Sequence, residues 1–165
     1  MILNVTGKDH QLSNFHVKFN SRDYGALEVE YRMSGIPSTN NGEFYYWSGT
    51  KGISAERAAV FKNLFCNVSG WMTLHLPLNS ENAPGWEDLG EVTRLRLDMV
   101  NQAPGKIEIK EIRLIPVHLV KQNDNKSLAE SDNRPEMVKW NASNKFKGWQ
   151  SFQNCKINVE NGILV

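Results

Sequence analysis

Cysteine is almost missing from this chain. Its two copies, Cys66 and Cys155, stand far apart in 165 residues and without metal-ligand spacing. They read as two buried thiols, with a single disulfide as the geometric alternative, and they leave localisation unassigned. An excess of charge of one sign is missing too. Nineteen Lys and Arg face eighteen Asp and Glu, and the basic residues are dispersed among the acids. No global field draws the chain to nucleic acid or to an anionic membrane surface. No apolar run approaches the roughly 20 residues needed to cross a bilayer, so membrane insertion is not expected. The opening Met1-Ile2-Leu3-Asn4-Val5-Thr6 lacks the basic and apolar regions of a secretory signal.

Catalytic signatures are missing as well. There is no nucleophile elbow, no phosphate loop and no His-rich metal pattern. His10, His16, His75 and His118 show no ligand spacing and read as surface or satisfied side chains. A glycosidase needs two acids about 5–10 Å apart across a cleft. Glu28 and Glu30 have a compatible spacing, but so does any strand with a solvated face. The expectation is a protein that is not an enzyme.

What the chain does have is alternation with period two. Leu27, Val29, Tyr31 and Met33 fall on one face of a strand, with Glu28, Glu30 and Arg32 on the other. Phe44-Tyr45-Tyr46-Trp47 is rich in strand-favouring aromatics. Met72, Leu74, Leu76 and Leu78 alternate with Trp71, Thr73, His75 and Pro77. Since Pro77 cannot donate to a ladder, that strand should end or lie at an edge there. In Val92–Met99, Leu95, Leu97 and Met99 face the core and Arg94, Arg96 and Asp98 face away. After an Ala103-Pro104-Gly105 turn, Ile107 and Ile109 set a phase that Ile112 and Leu114 break, which predicts a bulge or bend near Lys110-Glu111. Short strands at such intervals indicate an all-β antiparallel sandwich. At most one short helix is expected, over Ser54–Lys62, where a capping Ser precedes good helix formers.

Residues 1–118 read as the main body and 119–137 as a polar linker. In 138–165 Trp140, Phe146, Trp149, Phe152, Ile157 and Ile163 restore apolar content. Left exposed, such strands would sacrifice roughly 25 cal/mol per Å² of apolar burial. They are expected to complete the same sandwich; the alternatives are a swap into a second copy, giving a homodimer by strand exchange, or the start of a tandem copy. Asn4, Asn67, Asn125 and Asn141 each precede Ser or Thr by two places, a weak signal of glycosylation.

Leu27 to Pro116 resembles the galactose-binding-like jelly-roll carbohydrate-binding modules found beside bacterial glycosyltransferases and polysaccharide-active enzymes. The features that carry this are Glu30-Tyr31-Arg32-Met33, Phe44-Tyr45-Tyr46-Trp47, Trp71–Leu78, and Val92-Thr93-Arg94-Leu95-Arg96-Leu97-Asp98 followed by Ile107–Leu114. Such modules usually open with a Gly-Trp segment and a strand ending Asn-Gly-aliphatic. Here Gly148-Trp149 through Asn161-Gly162-Ile163-Leu164 looks like that opening but stands at the C-terminus, as in a circular permutant. The resemblance implies a glycan or polysaccharide partner. It also points to Trp86, in a loop at an end where these modules often bind, although a loop Trp more often caps the edge of the core; no cofactor is expected, and Asp9, Glu87 and Asp88 are the acids that could hold the structural calcium some such modules carry.

A sugar site needs a flat aromatic for the C–H face and planar polar groups that bridge hydroxyls. The polar strand faces offer Arg32, His75, Arg94, Arg96 and Asp98, with Tyr45 and Trp47 on a neighbouring strand. If those strands share one sheet, these residues line a groove. In the bland alternative, Arg96 and Asp98 are a structural ion pair and Trp47 belongs to the core.

Overall fold

Alternating residues form strands because each strand has one face to bury. A computed structural model describes residues 1–7, 9–36, 41–49, 57–101, 104–121, 135–152 and 155–158. The longest described strands are β4 (Tyr24–Ser34) and β10 (Gly105–Pro116), which run antiparallel side by side. Their inward faces supply Leu27, Val29, Tyr31, Met33, Ile107, Ile109, Ile112 and Leu114, all buried. The pairing register shifts between Ile109 and Glu111. That bulge lets Ile112 and Leu114 recover the inward direction of Ile107 and Ile109, as the broken phase demanded.

Around this pair a six-stranded sheet forms. β7 (Met72–Pro77) lies on the outer edge of β4 and stops at its proline. On the other side of β10, β1 (Ile2–Val5) pairs with its first half and β11 (Val138–Asn141) with its second. β13 (Cys155–Asn158) pairs in turn with β1. The second sheet runs in the order β12 (Trp149–Phe152), β2 (Gln11–Asn14), β9 (Arg94–Asp98), β5 (Asn41–Trp47), β6 (Ala58–Lys62). β3 (Phe19–Asn20) and β8 (Glu91–Val92) form a small third pair. Every described pairing is antiparallel, and the chain is an all-β sandwich. Leu12, Phe44, Tyr46, Ala59, Leu95 and Leu97 of the five-stranded sheet join the core made by the six-stranded one. Trp140 of β11 meets Trp149 of β12 edge-on at 5.6 Å, so the C-terminal strands add to both sheets and to the core.

The helix expected over Ser54–Lys62 is not formed in its described part. Residues 54–56 lie outside the described residues, and Ala58–Lys62 is β6, paired with β5. Ala59 and Phe61 are buried there while Val60 and Lys62 are exposed, so a free sheet edge and period-two burial override the helix propensity of an Ala-rich run. The α-helix among the described residues is α1 (Val117–Lys121), at the head of the expected linker. Most of that linker, residues 122–134, lies outside the described residues. No helix among the described residues is long and apolar enough to cross a membrane.

Candidate functional site

The outer face of the five-stranded sheet gathers polar and aromatic side chains in rows set by register. β9 presents Arg94, Arg96 and Asp98 outward, and β5 places Trp47, Tyr45 and Glu43 directly opposite them. Ser13 of β2 is opposite Arg96 on the other side. Beside the Glu43–Asp98 row is a cavity of about 310 Å³, lined by Asp9, Asn41, Gly42, Glu43, Asp98 and Asn101 together with Val60 and Val100. At Gly42, on the rim of this cavity, the strand has no room for a side chain. A Cβ there would stand 2.2 Å from the Phe61 ring and 2.5 Å from the Asp98 carbonyl oxygen.

Arg96 organises the face. Its Nε donates to both carboxylate oxygens of Asp98, at 2.8 and 2.9 Å, and its Nη2 bonds to Asp98 and to Asp9. The guanidinium carbon lies 4.9 Å from the centre of the Tyr45 ring. Tyr45 in turn donates its hydroxyl to Glu43 Oε2 at 2.7 Å. Burial and the Glu43 carboxylate push the phenol up to about 12, so it stays a donor. Burial pushes the Asp98 carboxyl up to about 6, although Arg96 works against that rise. His10 is buried nearby, and neither ring nitrogen has a hydrogen-bond partner among the described residues. Burial first, then the charge of Arg96, holds its imidazole down to about 4, so it is neutral at ordinary pH.

Farther along the face, Phe15 and Phe152 stand exposed and meet edge-on with ring centres 5.4 Å apart. The Arg94 guanidinium carbon lies 5.2 Å above the Phe15 ring. The sequence reading did not name Glu43, Phe15 or Phe152 as site residues. Glu43 could have been found, because Phe44 and Tyr46 facing inward turn Glu43 and Tyr45 outward.

Of the residues expected to line one groove, Tyr45, Arg94, Arg96 and Asp98 do share this face. Arg32 and His75 do not. They lie on the outer face of the six-stranded sheet, where Arg32 pairs with Glu108 at 2.6 Å and His75 with Glu28 at 3.1 Å. Alternation assigns a side chain to one face of a strand, but only long-range pairing assigns the strand to a sheet. Trp47 lies in the right row but is buried, 8% exposed, and offers no open ring. The binding role offered for Trp86 gives way to its alternative, a place in the core. Trp86 is 1% exposed, its Nε1–H donates to the Tyr24 carbonyl at 2.9 Å, and its ring meets Tyr46 edge-on. Both the apolar ring and its polar handle are satisfied inside, so Trp86 belongs to the core.

Asp9, Glu87 and Asp88 do not converge. Asp9 pairs with Arg96 and Asp88 with Arg22, and among the described residues no group of three ligating side chains forms a metal site. The half-buried Cys66 sulfur lies 3.4 Å from the Leu64 carbonyl oxygen, and the Cys155 side chain lies outside what is described. Asn67 and Asn141, two of the four glycosylation candidates, donate their side-chain amides to the Ile36 carbonyl and to Glu111; Asn125 is outside the described residues. A second cavity, of about 430 Å³, opens between Pro77, Leu78, Trp86 and the α1 residues Val117 and Val120, away from the charged rows. No family model, curated protein or solved structure matches this chain.

Proposed function

We propose that this chain is a non-catalytic carbohydrate-binding module of the galactose-binding-like jelly-roll kind, holding a glycan on the outer face of its five-stranded sheet. One observation carries the reading: exposed aromatic rings, Phe15 and Phe152, share a sheet face with a cavity of carboxylates and amides braced by Arg96. The rings offer a flat apolar surface to a sugar's C–H face. Glu43, Asp98, Asn41 and Asn101 offer planar acceptors and donors to its hydroxyls. Because Arg96 and Tyr45 already fix those carboxylates, little side-chain entropy is lost on binding. The same fixation speaks against catalysis, since both Asp98 oxygens are engaged by Arg96 and Glu43 by Tyr45.

The test is glycan-array binding of the chain beside Phe15→Ala and Glu43→Gln variants whose folding has been verified by circular dichroism. Binding by the parent and its loss in the folded variants is the expected result. Silence across a broad array, or turnover of any bound glycan, overturns the reading.

A structural role in assembly is the second reading, within a glycosyltransferase-type protein. What favours it is that β12 and β13, the last of the described strands, each form an edge of one sheet, an arrangement open to strand exchange between copies. A mass that rises with concentration in sedimentation would support it.

A further inference from the structure

The arginines on the two outer sheet faces are not in equivalent states. Arg32 pairs with Glu108, Arg113 with Glu28 and Glu111, and Arg96 with Asp98 and Asp9. Arg94 is exposed and, among the described residues, has no carboxylate partner. What holds it is the Phe15 ring, itself packed edge-on against Phe152. A guanidinium resting on a ring keeps its N–H fork free for a second partner, and that fork matches the two oxygens of a carboxylate.

The other end of the same face has the opposite character. Asp9, Glu43 and Asp98 line the cavity, and among the described residues Arg96 is the cation paired with them. An anion would be repelled there. Asp98 and Arg94 are the two ends of β9, four residues apart, so their Cα atoms are separated by roughly 13 Å. That is longer than a single sugar ring. The face is therefore electrically polarised over a span that more than one sugar unit would cover.

Resting on the glycan-binding reading above, we propose that the ligand is an acidic glycan whose acidic group docks on Arg94 at the Phe15–Phe152 platform, while a neutral sugar occupies the carboxylate-lined cavity. The polarity excludes a chain with an acid on every ring and favours one in which acidic and neutral units alternate.

The experiment is calorimetric titration of the chain with oligosaccharides that alternate a uronate with a neutral sugar, each beside its carboxyl-reduced counterpart. A homopolymeric uronate and a sulfated/unsulfated galactan pair complete the set. The acidic form is expected to bind roughly fivefold more tightly than its reduced partner at low salt. The gap should narrow as salt is raised. Arg94→Gln should bring the acidic form down to the affinity of its reduced partner, and Arg94→Lys should keep part of the gap. The sulfated arm shows whether a planar carboxylate is required or any anion suffices. Equal binding within the pairs, a gap that survives Arg94→Gln, or strongest binding by the homopolymeric uronate overturns the proposal but leaves glycan binding standing. No binding by any glycan, acidic or neutral, overturns both.

Discussion

The two outer faces of the sandwich use their charges differently. On the six-stranded sheet the charges neutralise each other pair by pair: Arg32 with Glu108, Lys106 with Glu108, Lys110 with Glu30, Arg113 with Glu28 and Glu111. Most of these side chains are partly solvated, and Trp71 lies beside Arg32 and Lys110 rather than over a cavity. On the five-stranded sheet one ion pair is nearly buried, three carboxyl groups line a cavity, and one arginine is left to an aromatic ring. The first face solves a solubility problem. Both faces expose aromatic rings, Trp71 on the first and Phe15 and Phe152 on the second, but the second sets its rings beside an arginine without a carboxylate partner among the described residues and a cavity lined by carboxylates.

The comparison breaks first at its arginines. Arg96→Ala leaves the buried Asp98 carboxylate without its partner and should cost about 3–5 kcal/mol of stability. Arg113→Ala, on the solvated ladder, should cost under about 1 kcal/mol. Urea unfolding of both variants checks this, and equal losses would erase the distinction between the faces. Next in size is Gly42→Ala. The added methyl would meet the Asp98 backbone as well as Phe61, and backbone cannot turn aside, so a loss of about 2 kcal/mol is expected.

The pH dependence sharpens the same contrast, because two groups near Arg96 titrate in opposite directions. His10, lowered from 6.5 to about 4, binds its proton more weakly when folded, so it makes stability rise with pH between those values. Asp98, raised from 3.8 to about 6, binds its proton more tightly when folded, so it makes stability fall with pH across nearly the same window. The native chain should therefore show a nearly flat profile from pH 4 to 6.5. Asp98→Asn should expose the rise and His10→Phe the fall, each on the order of 2 kcal/mol. Thermal melts across that range measure it, and a steep slope in the parent chain would show that one of the two groups does not titrate as its surroundings demand.

Much of this fold was legible from alternation alone. The strand faces in β4, β7 and β9, the bulge at Lys110-Glu111 and the stop at Pro77 follow from local rules, because side-chain direction and a missing N–H are local facts. Three things were not local. Ala58–Lys62 has helix-forming residues and becomes a strand because β5 offers an unpaired edge. Trp86 sits in a turn-rich loop, yet the loop folds back so that its indole fills the core. Arg32 and His75 share the outward phase of Arg94 and Arg96 but belong to the opposite sheet. Alternation thus placed Arg94, Arg96, Asp98 and Tyr45 on the outward faces of β9 and β5, and it failed wherever the reading needed to know which strands were neighbours.

That last confusion yields the smallest expected effect and the most direct check on which face binds. Arg32→Ala and His75→Ala remove outward-facing groups of the kind a sugar site uses, from the face where such groups are already paired. If the glycan lies on the five-stranded sheet, both variants should keep the parent affinity within about twofold. Their stability should change little, since both pairs are solvated. Phe15→Ala, on the other face, should by contrast lose binding while the fold persists. A loss of affinity in the Arg32 or His75 variant, with Phe15→Ala unaffected, would move the site to the six-stranded sheet and make its ion-pair ladder the surface to be explained.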